Sequence, residues 1–208
     1  MSHSSDEVEE DRALLETLGA QGWAVQHEWA PALAVRELAR QARAEYAAGS
    51  FTAAGVGRGS GRTLVPTLRG DRIHWLDGSS GHSAQVDLLR RFEGLRISAN
   101  RALMLGLYEV EAHFALYPSG ASYGRHIDRF REDDARVLSV VLYLNEAWAP
   151  DEGGQLRLEL SSKETVDILP TGGTLVCFLS DRFQHEVLPA TRDRLSVAGW
   201  FKRREIKL

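Results

Sequence analysis

The sequence predicts an α+β chain in which an antiparallel double-sheet roll, a jelly roll, is buttressed by N-terminal helices. Two observations carry that prediction. Apolar residues recur at helical spacing through about the first hundred positions, and from Leu107 onward the period changes to two. Helices first and many short strands afterwards suit a layered α+β architecture, and strands separated by turn signals suit a double-sheet roll.

Each element has a local reason. Ser5 precedes an acidic first turn of Asp6, Glu7 and Glu9, which suits the positive end of a helix, and Leu14, Leu15 and Leu18 recur until Gly19 and Gly22 end the segment. A second helix is expected from Pro31, tolerated in a first turn, with Leu38, Ala42 and Tyr46 on one face up to Gly49. A third is expected from about Ser83 to Leu95, with Val86, Leu89 and Phe92 as its apolar stripe. Between them, FTAAGVGRGSGRTLVPTLRGDRIHWLDG reads as a mobile, substrate-facing loop flanked by short strands. It has neither the lysine of a phosphate loop nor the spacing of a dinucleotide fingerprint.

From Leu107 the segment LYEVEAHFALY sets Tyr108, Val110, Ala112, Phe114 and Leu116 against the more polar Glu109, Glu111 and His113, as a half-buried strand should. RVLSVVLYLN, QLRLEL, TVDIL, TLVCFL, EVL and LSVAGWF follow between turn signals such as APDEGG and PTGG, giving about seven strands. A length of 208 residues buries one full core and would be tight for two. One domain over 1–208 is therefore expected, with helical support over about 5–100 and the roll over about 105–203.

Bulk properties narrow the function. Twenty-five basic against 29 acidic residues give a net charge of -4, so neither nucleic acid nor membrane is expected as a partner. The single Cys177 sits in the apolar run TLVCFL and reads as a buried thiol. The N-terminal MSHSSDEVEEDR is polar and acidic, unlike a signal peptide, and no run approaches the roughly 20 apolar residues of a membrane span. A cytoplasmic location is the simplest expectation.

Chemistry concentrates in GRHID, where His126 and Asp128 lie two apart, and in FQHEV, where His185 follows Asp128 by 57 positions. Side chains at i and i+2 of an extended segment point the same way, so the first pair can reach one ion. Two imidazoles and a carboxylate occupy one face of an iron ion and leave the other open. Arg194, nine residues beyond His185, offers a planar fork for the far carboxylate of a 2-oxo acid that chelates the metal. These residues point to an Fe(II)- and 2-oxoglutarate-dependent oxygenase. His, Asp and His also suit zinc, so a metal hydrolase or a non-catalytic binding module is the alternative. The remaining histidines, His3, His27, His74, His82 and His113, are expected at the surface or in caps.

Across about residues 65–203, the segments LRGDRIHWLDG, LYPSGASYGRHID, RVLSVVLYLNEAW, EGGQLRL, SDRFQHEVLPA and TRDRLSVAGWF resemble the prolyl hydroxylase domain enzymes, which include the hypoxia-inducible-factor prolyl hydroxylases. The resemblance implies a cupin-like double-stranded β-helix with iron ligands at His126, Asp128 and His185. It implies that Arg194 and Tyr143 bind the distal carboxylate of 2-oxoglutarate, with Tyr117 in the same pocket. Tyr123, Arg136 and Trp200 would lie beside a peptide substrate, and Asp71 in the loop that closes over it. The implied reaction is 4-hydroxylation of a proline in a protein, giving succinate and carbon dioxide, with O2 consumed and ascorbate as a supporting reductant. Bacterial members are associated with elongation factor Tu, a candidate partner.

The chain departs from the family pattern in two places. The segment from Tyr117 to His126 is one residue shorter than in the animal enzymes, and eight residues follow Trp200. Recognition is then expected to lean on the loop around 57–78, where Arg58, Arg62, Arg69 and Arg72, with Arg125, Arg129 and Arg136, could favour an acidic partner. An oxygenase acting on a nucleobase or small molecule is the other reading. Nucleic-acid dealkylating relatives, however, carry a second arginine where this chain has Trp200, and halogenating relatives lack the carboxylate of Asp128.

Overall fold

The computed structural model describes residues 5–55, 63, 65, 68–129 and 135–204, with side chains from Asp11 onward. Arg58 and Arg62 lie outside the described residues. Three helices, α1 (Ser5–Gln21), α2 (Ala32–Ala47) and α3 (Ser83–Leu103), pack on one side of the larger of two sheets. Its seven strands are β1 (Trp23–Gln26), β2 (Thr52–Ala53), β3 (Arg72–Trp75), β4 (Leu107–Tyr117), β6 (Arg136–Tyr143), β9 (Leu175–Leu179) and β11 (Arg194–Arg203), in the order β1-β9-β6-β11-β4-β3-β2. The smaller sheet has the order β5-β10-β7-β8, from β5 (Tyr123–His126), β7 (Leu156–Ser161), β8 (Glu164–Ile168) and β10 (His185–Val187). All the strand pairs are antiparallel, as a roll requires.

The expected helices are present, with altered limits. Pro31 stands at the N-cap of α2, and α3 continues past Leu95 because no glycine or proline interrupts it before Gly106. The Asn100 side chain then holds both the N–H and the carbonyl of Leu107, at 2.7 and 2.8 Å, which fixes the entry into β4. Strands β1 and β5 are additions to the seven expected, each being four residues long and too short for a two-residue period to show.

Two apolar clusters hold the layers together. On the helix side, Phe114, Leu116, Leu142, Val197 and Phe201 of the large sheet meet Leu14, Leu18, Leu38, Phe92 and Leu95. Phe92 lies edge-on to Phe201 at 6.2 Å and stacked on Trp29 at 5.7 Å. Each such side chain removed from water contributes about 1.5–3 kcal/mol. Inside the roll, Ala115, Tyr117, Tyr143 and Phe178 face Leu156, Leu158, Ile168 and Val187 of the small sheet.

One expectation fails here. His113 is not a surface or capping group: it is 1 % exposed, because the polar face of β4 turns toward the interior of the roll rather than toward solvent. Cys177 is buried, as expected. Among the described residues, no helix is long and apolar enough to cross a membrane.

Candidate active site

The smaller sheet brings the candidate metal ligands together. β10 pairs with β5 so that His185 stands directly opposite His126, and the chain bends just after β5 to deliver Asp128. One ligand atom from each of the three lies within 4.8 Å of the others. Asp128 is 3.7 Å from Nε2 of His126 through one carboxylate oxygen, and 3.7 Å from Nε2 of His185 through the other.

Neighbouring groups orient all three. His126 Nδ1 donates to the Gly124 carbonyl at 2.8 Å and His185 Nδ1 to the Phe183 carbonyl at 3.2 Å, which leaves both Nε2 lone pairs directed at the shared centre. The Ser139 hydroxyl donates to Asp128 at 2.6 Å and lies 2.9 Å from the Ser180 hydroxyl. Burial opposes ionisation of Asp128, but His185, His126 and the Ser139 hydroxyl together hold its carboxyl well below the usual range. Burial pushes the His185 imidazole down to about 4, against the opposing pull of Asp128. A charged carboxylate beside two imidazoles whose Nε2 atoms face it is the donor set that a divalent iron ion requires. The fit to iron is therefore good.

The three ligands open onto a cavity of about 290 Å³. One wall is formed by β11 and β4, whose register sets Arg194 against Tyr117, Ser196 against Ala115 and Ala198 against His113. Arg194 is 2 % exposed, and among the described residues it forms no ion pair. Its Nε donates to the Gly154 carbonyl at 2.8 Å, and that carbonyl can face inward because Gly154 takes a positive φ of 72°. The guanidinium lies 5.0 Å from the Tyr143 ring and 5.2 Å from the Tyr117 ring. Tyr143 does not line the cavity itself, and its hydroxyl is buried without a hydrogen-bond partner. Burial pushes its phenol up to about 12, and that of Tyr117 well above the ordinary value, so both stay protonated donors. A buried cation with no acid beside it and an orphaned hydroxyl both fit a carboxylate that arrives with a ligand.

The other residues singled out from sequence also reach the cavity. Tyr123 stacks on His126 at 3.6 Å, and Arg69 lies over the far side of Tyr123 at 4.6 Å. Arg69 makes a two-pronged bond to the buried Asp71, at 2.7 and 3.0 Å, and forms a β-bridge with Tyr123. Arg136 packs 3.6 Å over Trp200. Of the arginines anticipated as a basic surface, Arg69, Arg125, Arg129 and Arg136 pair with Asp71, Glu159, Asp181 and Glu111. Trp75 and His113 line the cavity as well, although nothing in the sequence singled them out.

Comparison with known proteins agrees with this geometry. The 2OG-Fe(II) oxygenase superfamily matches residues 112–202. A prolyl-4-hydroxylase of Pseudomonas putida is 45% identical, with a TM-score of 0.85 over 94% of this chain and 100% of that one. The chain belongs to the prolyl hydroxylase family of Fe(II)- and 2-oxoglutarate-dependent oxygenases. A further family member, the Trichoplax adhaerens prolyl hydroxylase in complex with a hypoxia-inducible-factor peptide, superposes with a TM-score of 0.86 at 27% identity, covering 97% of this chain and 94% of that one. Human Egl nine homolog 1 is 33% identical over 150 residues, 64% of this chain. The chain spans about a third of the length of that curated relative. Family membership accounts for the double-stranded β-helix and for Fe(II), 2-oxoglutarate and O2 as the required set.

Proposed function

We propose that the chain is a protein prolyl 4-hydroxylase in which His126, Asp128 and His185 hold Fe(II) and Arg194 anchors 2-oxoglutarate. When bound, iron and 2-oxoglutarate supply an oxygen-derived oxidation that converts a C–H bond of proline to C–OH, releasing succinate and carbon dioxide. Arg194, with the Tyr143 and Tyr117 hydroxyls, grips the distal carboxylate and so orients the keto acid toward the metal. Ser139 keeps the Asp128 carboxylate charged and aimed, while Tyr123 and Phe178 pack against the two imidazoles and exclude water. Arg136 and Trp200 form the wall against which the peptide lies, and Asp71 acts through Arg69 on the strap that covers it.

The observation that carries this reading is the buried Arg194, which lines the metal cavity with no acid partner among the described residues. A zinc hydrolase has no use for such a group there. The peptide bound to the Trichoplax relative supports a polypeptide substrate. Elongation factor Tu is proposed as partner and the cytoplasm as compartment. Purified enzyme with Fe(II), 2-oxoglutarate and elongation factor Tu should release succinate only with oxygen and add one oxygen atom to a proline of that protein. Succinate release with no oxygen on any proline would defeat the prolyl reading and leave an oxygenase of another substrate. Cell fractionation tests the compartment.

A further inference from the structure

The inward face of β4 and β11 extends past the part of the cavity that 2-oxoglutarate needs. At about 3.3 Å per residue, the row of His113 and Ala198 lies ~13 Å along the strands from the row of Tyr117 and Arg194. A five-carbon dicarboxylate held at Arg194 does not span that distance. The residues between, Ala115 and Ser196, are small and leave the space open. His113 therefore faces whatever organic substrate fills the outer end.

Its chemistry is defined by its neighbours. His113 Nδ1 lies 3.1 Å from the Phe114 carbonyl, and a carbonyl only accepts, so Nδ1 carries the hydrogen and Nε2 keeps a lone pair. Among the described residues, nothing bonds to Nε2. Burial holds the imidazole near 4, so it is neutral at physiological pH. Trp75 meets the ring edge-on at 5.0 Å and Trp200 at a tilt, 5.6 Å away, which fix its orientation. Trp200 Nε1 is itself buried without a partner. This end of the cavity thus presents one acceptor, His113 Nε2, that no described residue uses. An acceptor left unmatched when a ligand excludes water is costly, so a wall of this kind favours a ligand that brings an N–H. A polypeptide carries such groups along its backbone.

We propose that His113 is a specificity-determining residue whose Nε2 accepts an amide N–H of the substrate. The inference rests on the reading that the substrate is a proline-bearing polypeptide. The amide N–H can come from the backbone beside the proline or from an Asn or Gln side chain, and the two sources are separable.

The test uses wild type, His113→Phe, which keeps a buried ring and removes the acceptor, and His113→Gln, which restores one. Each purified enzyme is loaded with Fe(II) and 2-oxoglutarate and incubated with soluble bacterial protein, and oxidised prolines are mapped by mass. A peptide spanning the most modified site is then made in three forms: native, with an ester in place of the amide that follows the proline, and with side-chain amides changed to alanine. With the native peptide, His113→Phe should raise KM about five- to tenfold, the effect of one hydrogen bond, with kcat within about twofold. His113→Gln should recover most of that loss, and the affinity for 2-oxoglutarate, measured by calorimetry, should stay unchanged in both variants. Whichever altered peptide removes the difference between wild type and His113→Phe identifies the source of the N–H. An unchanged KM in His113→Phe, or the same ratio with all three peptides, overturns the proposal. If wild type oxidises no proline, the prolyl reading has failed and this inference falls with it; failure of the variant arm alone leaves that reading standing.

Discussion

The two faces of the central strands β4, β6 and β11 are both buried, yet they are built from opposite chemistry. Toward the helices they present Phe114, Leu116, Leu142, Val197 and Phe201; toward the cavity they present His113, Tyr117, Ser139, Arg194, Ser196 and Trp200, with Tyr143 buried beside Arg194. The helix-facing side is satisfied by packing alone. On the cavity side some groups pair with one another, as Ser139 does with Asp128, while the Tyr143 hydroxyl and the Trp200 indole N–H have no partner among the described residues and Arg194 has no acid beside it. Burial without completed bonding is thus what separates the active face from the structural one.

Substitutions on each face should break this contrast in opposite ways. The largest effect is expected from Asp128→Ala, which removes the only negative ligand: turnover should vanish in a succinate assay while circular dichroism stays native. Residual turnover near the wild-type rate would remove Asp128 from the metal. On the other face, Phe114→Ala should lower unfolding free energy by about 3–5 kcal/mol in urea titration, with KM values unchanged in the folded fraction. Equal damage to KM would mean that the two faces are not independent.

A third test concerns pH. His113 and His185 have folded-state values near 4, below the ordinary 6.5, so as pH falls through 6.5 the unfolded chain takes up protons that the folded one refuses. Stability of the metal-free protein should therefore fall between pH 6.5 and 4, by up to ~3 kcal/mol for His113 alone, and level off below that for these two groups. In His113→Phe the loss of Tm between pH 7 and pH 5 should shrink; an equal loss would show that His113 is not held neutral by the fold. The smallest effect is expected from Arg194→Lys, which keeps the charge but loses the fork. It should weaken 2-oxoglutarate binding by ~1.5–3 kcal/mol in a calorimetric titration, with metal affinity retained.

Much of this contrast was legible in the sequence, and its gaps have a common cause. The two-residue alternation of β4 placed Ala112, Phe114 and Leu116 together correctly, and the ligand-type residues His126, Asp128, His185 and Arg194 could be singled out by type and spacing. What alternation cannot say is whether the polar side of a strand meets water or a cavity. Glu109 is exposed, but His113 on the same face is enclosed, with the Trp75 and Trp200 rings against it. Trp75 was missed for a related reason: it belongs to a four-residue strand whose partner across the register, His113, lies 38 positions away. Tyr143 was assigned through family resemblance, since no local pattern distinguishes a tyrosine with an unpaired hydroxyl from one packed in a core.

The placement of His126 has a consequence for the margin of the roll. β5 is the outermost strand of the small sheet, only four residues long, and its register with β10 is broken between two paired positions. An ion gripped by His126 on that strand and by His185 on its neighbour acts as a clasp across this irregular seam. Stripping the iron should therefore loosen this border as well as silence the chemistry, so limited proteolysis with and without a chelator should find new cleavage close to Tyr123 before the helical side yields.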